Sequence, residues 1–465
     1  MPAQLSVVVS LDGFSIASLG PYGSWNATPE IDRLAARGSV FMRCISPTDA
    51  TASNLDIIAD VARDQFAQFD FRVLLTDDLG LVEKEFAERF DTVIEIEYDV
   101  PDQAHDEIQL GAATAIFSAM DEQLASVMKE LKHQADGSGL VWLHSRVLRC
   151  CWDAPHWLCP MEQALEMEDE EQVDEKQVDE KQIDVETMVL ALRDEEQEID
   201  IDATQEDEEE DEEKDTEEDS EPTGFEEMGQ ITVPPGGPER PALPLQFDTD
   251  PDAALRWMHL YACQIRAIDL LLQMLWQQRL QSQFRSPKAM DVQWLLMGTS
   301  GFPLGEHGWV GYETKTEHEI DADEFDADEI APTPRCPFRS VQLMVPFLVV
   351  GDRRPEGHFP EPISLPHATK WFLKDANPNL DALPFDEAIH SHSVIDGSVA
   401  VTTADWFCIW ENLPDDAADA DADSSQSARL FLKPDDRWDC NDVADRRSDV
   451  ISQLAAKRNE KASAN

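Results

Sequence analysis

Histidine and cysteine side chains can bind metals or act as catalysts, and their spacing in this sequence indicates which of these roles is open to them. His390 and His392 are separated by one serine, and on a β-strand this spacing points both rings to one face, as in some metal sites. A pair of exposed loop histidines is the simpler interpretation. The 8 cysteines include no CxxC pair and no zinc-finger spacing, so we expect free thiols. The sequence also shows no His–Asp relay of recognisable spacing.

Apolar runs alternate with helix-forming segments, and this alternation predicts the scaffold that must position any site. Leu5–Leu11 predicts a first buried strand that ends in Asp12-Gly13. Thr28 is the expected N-cap of the first helix, with Pro29 at its first position. Further strands are predicted at 39–43, 71–75, 92–96, 139–144 and 293–297, an apolar run at 341–350, and helices at 29–37, 112–131 and 256–276. The predicted fold class is therefore α/β, with a mostly parallel sheet between layers of helices.

Short strands predict a second, smaller unit near the C-terminus. They fall at 399–402, 406–410 and 429–432, and a terminal helix follows them. We therefore expect a small antiparallel subdomain over 394–465. The α/β core is expected to comprise 1–160 and 242–393.

Acidic residues dominate the segment between the two parts of the core. From 161 to 241 the chain is rich in Glu and Asp, and it contains the repeat Val-Asp-Glu-Lys-Gln at 173–177 and 178–182. No core can be built from this composition, which predicts a disordered insertion. Two shorter acidic loops are expected at 317–330 and 415–423. One hypothesis is that the protein acts as an acidic interaction protein through these segments.

The charge of the chain excludes two classes of partner. The formal net charge is −60, which repels nucleic-acid phosphates and anionic membranes. The first apolar run is too short to span a bilayer and lacks the flanking residues of a signal peptide. We therefore expect no nucleic-acid partner, no membrane association and a cytoplasmic location, and the sequence gives no indication of the oligomeric state.

A series of short motifs follows a fixed order along the chain outside the acidic segments. The motifs are Val8–Phe14, Tyr22-Gly23, Thr28–Gly38 with Phe41, Trp142–Ser145 with Trp152–Pro155, Tyr261-Ala262 with Asp269, Gly301–Gly308, Val345–Val350, Asp405-Trp406 and Leu430–Leu432. In order and spacing they resemble the sulfatase family of the alkaline-phosphatase superfamily. The resemblance implies an alkaline-phosphatase-like α/β fold and a reaction that displaces a sulfuryl or phosphoryl group.

The same resemblance implies where a divalent cation would bind. In that family two adjacent Asp follow the first strand, and an Asp with a His or Asn follows a later one. Asp12 stands at the first position, but Gly13 replaces the second Asp. The later pair falls on Thr299-Ser300, or on Gly301-Phe302 if the gap is placed after Ser300. One carboxylate of four ligands cannot hold Ca²⁺ or Mg²⁺ tightly, so no cofactor is expected unless other residues rebuild the site.

Thr51 stands where the resemblance places the nucleophile. The family uses a modified Cys or a Ser in Cys-x-Pro-Ser-Arg, and that motif is absent here. A related branch, the nucleotide pyrophosphatase/phosphodiesterases, uses Thr in a context similar to Thr51–Asn54. That likeness implies a metal ligand at Asp12, a nucleophile at Thr51 and an oxyanion donor at Asn54. Without a metal, however, Thr51 keeps the high pKa of an alcohol and is a poor nucleophile.

Three further side chains fall near positions at which the resemblance implies anion or metal binding. Arg149 replaces part of an expected Pro-His pair and is a candidate for binding an anionic substrate, although a surface Arg is the simpler interpretation. The anion-binding Lys that follows the Gly301–Gly308 motif in the family falls near Tyr312, and Lys315, three residues later, is the candidate for that role. His307 is interpreted as shaping the glycine-rich loop and not as a metal ligand.

The leading hypothesis is a sulfatase-like pseudoenzyme with a binding or scaffolding role. Its ligand would be an unknown protein partner or a small anionic ester. The alternative is an active sulfuric or phosphoric ester hydrolase with a remodelled site that uses Thr51. The loss of the second Asp, the Asp-His pair and Cys-x-Pro-Ser-Arg motivates the first hypothesis over the second.

Overall fold

The computed structural model describes the greater part of the predicted core and C-terminal subdomain. The described residues are 3–98, 111–133, 137–152, 154, 158, 243–244, 253–280, 290–312, 336–351, 354–374, 385–411 and 428–462. The predicted acidic insertion, both shorter acidic loops and Lys315 lie outside these residues.

Strands and helices alternate through the first half of the described chain. The strands are β1 (Gln4–Leu11), β2 (Ser39–Ile45), β3 (Phe71–Thr76), β4 (Thr92–Glu95), β5 (Ser138–Ser145), β6 (Leu243–Pro244), β7 (Asp291–Gly298), β8 (Trp309–Val310), β9 (Met344–Val345), β10 (Phe347–Val350), β11 (Gly357–Ser364), β12 (Ile389–His392), β13 (Val399–Thr402), β14 (Trp406–Trp410) and β15 (Ala428–Leu432). The helices are α1 (Pro29–Ala35), α2 (Thr51–Val61), α3 (Arg63–Phe66), α4 (Gly111–Lys132), α5 (Val147–Cys150), α6 (Ala253–Leu280), α7 (Ser340–Leu343), α8 (Leu365–Leu373) and α9 (Ser448–Ala462). None of the helices in the described part of the chain is long and apolar enough to cross a bilayer.

The main sheet has nine strands and is mostly parallel, as predicted. Its order is β11-β2-β10-β7-β1-β5-β3-β4, with β9 paired to β2. β1 lies at the centre and runs parallel to both β5 and β7, whereas β10 runs antiparallel to β7 and β2. The apolar run at 341–350 does not form one strand, because it begins with α7 and Pro346 separates β9 from β10.

Side chains of β1 point alternately into two apolar layers. Val7, Val9 and Leu11 pack in a cluster with α4 and α6, whereas Val8 packs in a second cluster with α2 and α8. Helices therefore cover both faces of the sheet, which explains why the first strand is apolar along nearly its whole length. Each such buried aliphatic side chain contributes about 1.5–3 kcal/mol through the hydrophobic effect.

Four antiparallel strands, β12 to β15, form the C-terminal sheet in sequence order. The sheet begins at Ile389, a few residues before the predicted boundary at 394. Ile389 and Phe407 join the main apolar core, whereas Val401 and Leu430 pack under α9. The sheet is thus held between the core and the terminal helix.

A carboxylate from a distant helix caps the N-terminus of α1. Thr28 lies at the predicted N-cap position, but its side chain makes no capping hydrogen bond. It instead donates to Asp32 Oδ1 at 3.1 Å. The amides of Glu30 and Ile31 donate to Asp269 on α6, at 3.3 and 2.8 Å. The cap is therefore a tertiary contact, which local sequence patterns do not report.

Asp269→Asn tests this cap through its pH dependence. Burial raises the pKa of Asp269 to about 6, and the two amides and Arg266 only partly oppose this shift. Because the folded state holds the proton more tightly than the unfolded chain, the contribution of Asp269 to stability is greatest below about pH 4 and falls as pH rises to about 6. We expect the unfolding free energy of the wild type, relative to Asp269→Asn, to fall by roughly 2–3 kcal/mol across this range. Urea denaturation followed by tryptophan fluorescence measures it.

The matched control is Asp64→Asn, which makes the same chemical change at an exposed aspartate. Its stability relative to the wild type should be nearly independent of pH over this range. A constant difference between the wild type and Asp269→Asn would contradict the assignment.

Candidate functional site

Polar residues meet where the central strands end. Leu11 pairs with Ser145 of β5 and with Gly298 of β7, so the segments that follow these residues leave the sheet side by side. Asp12 follows β1, and Thr299-Ser300 follows β7. Ser300 Oγ donates to Asp12 Oδ1 at 2.6 Å. The structure therefore brings Asp12 together with the first of the two candidate positions for the later pair.

The guanidinium of Arg149 lies against Asp12. Arg149 belongs to α5, the short helix after β5, and its side chain is fully buried. Its Nε lies 2.8 Å from Asp12 Oδ1. Its Nη2 donates to Ser300 Oγ and to the Tyr312 hydroxyl, both at 2.7 Å. Arg149 is therefore not the surface arginine of the simpler interpretation, but the cation of a buried ion pair.

Gly13 also faces this guanidinium. Its φ of 76° lies in the left-handed region that favours glycine. A Cβ at this position would lie 3.7 Å from Arg149 Cβ and 3.8 Å from its Nε. Positions 12, 13 and 300 thus all converge on Arg149, although only the first carries a carboxylate.

Asp12 and Arg149 each carry a charge, and the two opposite charges cancel. Burial acts to raise the pKa of Asp12, but the Arg149 guanidinium and the hydroxyls of Ser300 and Thr51 hold it well below its usual range. Burial acts to lower the pKa of Arg149, but Asp12 holds it above its ordinary value. Both groups stay ionised at ordinary pH, and the Asp12 carboxylate is a very weak base.

Thr51 begins α2 and reaches the same edge of the sheet. Its side chain is nearly buried, and its Oγ1 lies 3.1 Å from Thr299 Oγ1. The Thr51 hydroxyl also helps to lower the pKa of Asp12. A carboxylate that an arginine holds ionised is a poor base for an alcohol, so the described surroundings of Thr51 offer its hydroxyl no activating base.

Asn54 holds two loops together next to Thr51. Its Nδ2 donates to the carbonyls of Thr48 and Thr299, at 2.9 and 2.8 Å. Its Oδ1 accepts from the amide and the hydroxyl of Thr48, both at 2.9 Å. Because both amide hydrogens already meet carbonyls, the side chain has no free donor for the predicted oxyanion role.

The remaining predicted candidates are Lys315, His307, His390 and His392. Lys315 cannot be placed because it lies outside them. His307 adopts a φ of 55° in the turn Glu306–Gly308, in agreement with a role in shaping the glycine-rich loop. His390 and His392 both lie on β12. Within the described ranges, no group of three or more His, Cys, Asp or Glu could hold a metal ion.

Tyr312 and Asp49 complete the cluster, although neither was predicted as a site residue. The Tyr312 hydroxyl donates to the Asp49 carbonyl at 2.7 Å, and its ring centre lies 4.5 Å from Arg149 Cζ. The Asp49 carboxylate accepts from Ser393 Oγ at 2.6 Å and from the amide of Val394 at 2.8 Å. The one available signal was the position of Tyr312, which falls where the sulfatase resemblance places a lysine.

The residues at this edge do not fit the divalent cation that the resemblance implies. Asp12 supplies one carboxylate, Gly13 supplies none, and Ser300 offers a hydroxyl. The guanidinium of Arg149 already neutralises the carboxylate. A second cation about 4 Å from it would be repelled by about 4 kcal/mol per unit of its charge at an effective dielectric constant of about 20. The described residues at this edge therefore supply neither the ligands nor the free negative charge that a metal needs.

The protein is similar to known proteins in structure. The sequence matches no family model and no curated protein. A protein solved with its substrate D-glucosamine-2-N,6-O-disulfate is 10% identical, with a TM-score of 0.56, covering 100% of this chain and 98% of its own. A 2-O GAG sulfatase is 10% identical, with a TM-score of 0.53 and coverages of 99% and 92%. The phosphonate monoester hydrolase of Agrobacterium radiobacter is 10% identical, with a TM-score of 0.55 and coverages of 99% and 95%.

These likenesses extend over nearly the whole chain. At this level of identity they concern the fold alone and not the reaction. The chain therefore has a sulfatase-like α/β fold, which a phosphonate monoester hydrolase shares.

Proposed function

We propose that this protein is a sulfatase-like pseudoenzyme, which keeps the fold, has lost ester hydrolysis and acts by binding. The observation that carries the proposal is the ion pair between Arg149 and Asp12. It places a side-chain cation on the one carboxylate at the ends of β1 and β7. Without a metal, neither the nucleophile nor the transferred group receives Lewis-acid assistance.

The surroundings of Thr51 support the same proposal. An alcohol attacks an ester when a base takes its proton or a metal lowers its pKa. The Thr51 hydroxyl lies beside the Thr299 hydroxyl, which is no stronger as a base. The rival hypothesis, a hydrolase that uses Thr51, would require a base other than the described groups around it.

The charge balance of the cluster favours a protein partner over a small anionic ester. Arg149 is neutralised by Asp12, and Arg146 lies 3.4 Å from Asp78. Neither arginine therefore offers a free positive charge to an anion. We propose a scaffolding role in the cytoplasm, the location expected from the sequence.

Turnover assays separate the proposed pseudoenzyme from the hydrolase. We expect purified protein to hydrolyse aryl sulfates and phosphate mono- and diesters no faster than Thr51→Ala does. The assays should include Ca²⁺, Mg²⁺, Mn²⁺ and Zn²⁺ in turn. Thr51→Ala is the matched control, because it removes the hydroxyl at the nucleophile position. Metal-dependent turnover that the variant loses would overturn the proposal.

Divalent cations should not stabilise the protein through this site. We expect that any shift of the melting midpoint caused by Ca²⁺ or Mg²⁺ is the same in the wild type and in Asp12→Asn. The variant removes the carboxylate that follows β1, so an ion bound there would stabilise the wild type selectively. Thermal denaturation with and without a chelator measures both shifts. A shift that only the wild type shows would reveal a metal site at Asp12.

A further inference from the structure

The side chain of Arg149 ends where oxygens from three separate segments converge. Asp12 Oδ1 follows β1, Ser300 Oγ follows β7, and the Tyr312 hydroxyl belongs to the loop after β8. All three lie 2.7–2.8 Å from a nitrogen of the guanidinium. A Cβ at Gly13 would lie 3.8 Å from Nε of the same group and 3.3 Å from the ring of Phe302. An oxygen-lined position of this kind, with one carboxylate, suits a cation.

We propose that the Arg149 guanidinium is the resident cation of this site, a tethered ion in place of the divalent metal. The disagreement between the ligand set and a metal is then explained, because the chain supplies the positive charge itself. This inference deepens the proposed pseudoenzyme function. Its test measures stability and guanidinium binding and not turnover, so either proposal can fail without the other.

Burial makes the two charges dependent on each other. Arg149 and Ser300 are fully buried, and Tyr312 and Asp12 are 1% and 3% exposed. Water therefore cannot replace either partner of the pair, and removing one leaves an uncompensated charge in the interior.

The hydrogen bonds indicate that the positive charge of the Arg149 guanidinium matters at this site more than the number of its donors. Nη2 donates to two hydroxyls, whereas Nη1 meets no acceptor among the residues that the structure describes. Nε lies 2.8 Å from Asp12 Oδ1 but makes no well-aligned hydrogen bond there. A group chosen as a hydrogen-bonding hub would use all its donors. The site therefore resembles an ion-binding position more than a polar network.

Removing the side chain beyond Cβ should leave a position that a free guanidinium ion can fill. We expect Arg149→Ala to lower the melting midpoint by about 6–15 °C, because Asp12 is left buried and unpaired. Guanidinium chloride at low millimolar concentration should then raise the midpoint of this variant by about 2 °C or more. The wild type should show no such rise. Tetramethylammonium chloride at the same ionic strength is the control cation, because it cannot donate hydrogen bonds, and it should have no effect.

The double variant Asp12→Asn/Arg149→Ala identifies the partner of the added ion. It should not respond to guanidinium, because the carboxylate that binds the ion is gone. The proposal is wrong if guanidinium leaves Arg149→Ala unchanged. It is equally wrong if the double variant or the wild type gains as much stability.

A double-mutant cycle keeps the proposal testable if Arg149→Ala does not fold. Asp12→Asn/Arg149→Met removes both charges and nearly preserves volume. We expect it to melt at a higher temperature than either single variant, or to fold where neither single variant does. A double variant whose loss equals the sum of the two single losses would show that the charges are not coupled, and would overturn the proposal.

Discussion

The ion pair between Asp12 and Arg149 is the constraint on which the rest of this site depends. Both groups lie in the interior, where an isolated charge is costly and a matched pair is tolerated. The pair fixes α5 against the end of β1, and the hydroxyls of Ser300 and Tyr312 join the same guanidinium. Because the guanidinium of Arg149 neutralises the Asp12 carboxylate, this carboxylate is a poor base for Thr51 and a poor ligand for a metal.

Much of the fold could be predicted because its signals are local. The nearly unbroken apolar run Leu5–Leu11 predicts a buried strand, and the structure places it between two parallel neighbours. Two local features could not be predicted from the sequence. Thr28 lies at the predicted N-cap of α1, but the first amides of the helix bond to the carboxylate of Asp269 and not to the Thr28 side chain. The apolar run at 341–350 begins with a short helix, at whose start the side chain of Gln342 accepts a hydrogen bond from the amide of Arg339. The periodicity of apolar residues indicates which positions are buried. It does not indicate which of several groups caps a helix, or which distant residue bonds to it.

The site was predictable in position more than in chemistry. Strand ends at Leu11 and Gly298 determine where Asp12 and Ser300 meet. The sequence resemblance gave Asp12 for the first position and Thr299-Ser300 as one of two candidate pairs for the second. No sequence pattern shows that the Arg149 side chain is buried against Asp12. Nor does any pattern show that both amide hydrogens of Asn54 bond to backbone carbonyls. A shared fold therefore leaves the reaction open, because a few side chains at one edge decide it.

Asp49 connects this edge of the main sheet to the C-terminal sheet. Its carbonyl receives the Tyr312 hydroxyl, and its carboxylate holds Ser393 and Val394 in the loop that follows β12. Since Tyr312 also holds Arg149, the loop after β12 and the buried guanidinium share one short chain of hydrogen bonds. A partner that displaces this loop must either break the hydrogen bonds of Asp49 or transmit the displacement to the buried guanidinium. The C-terminal sheet is thus mechanically linked to a site whose residues it does not supply.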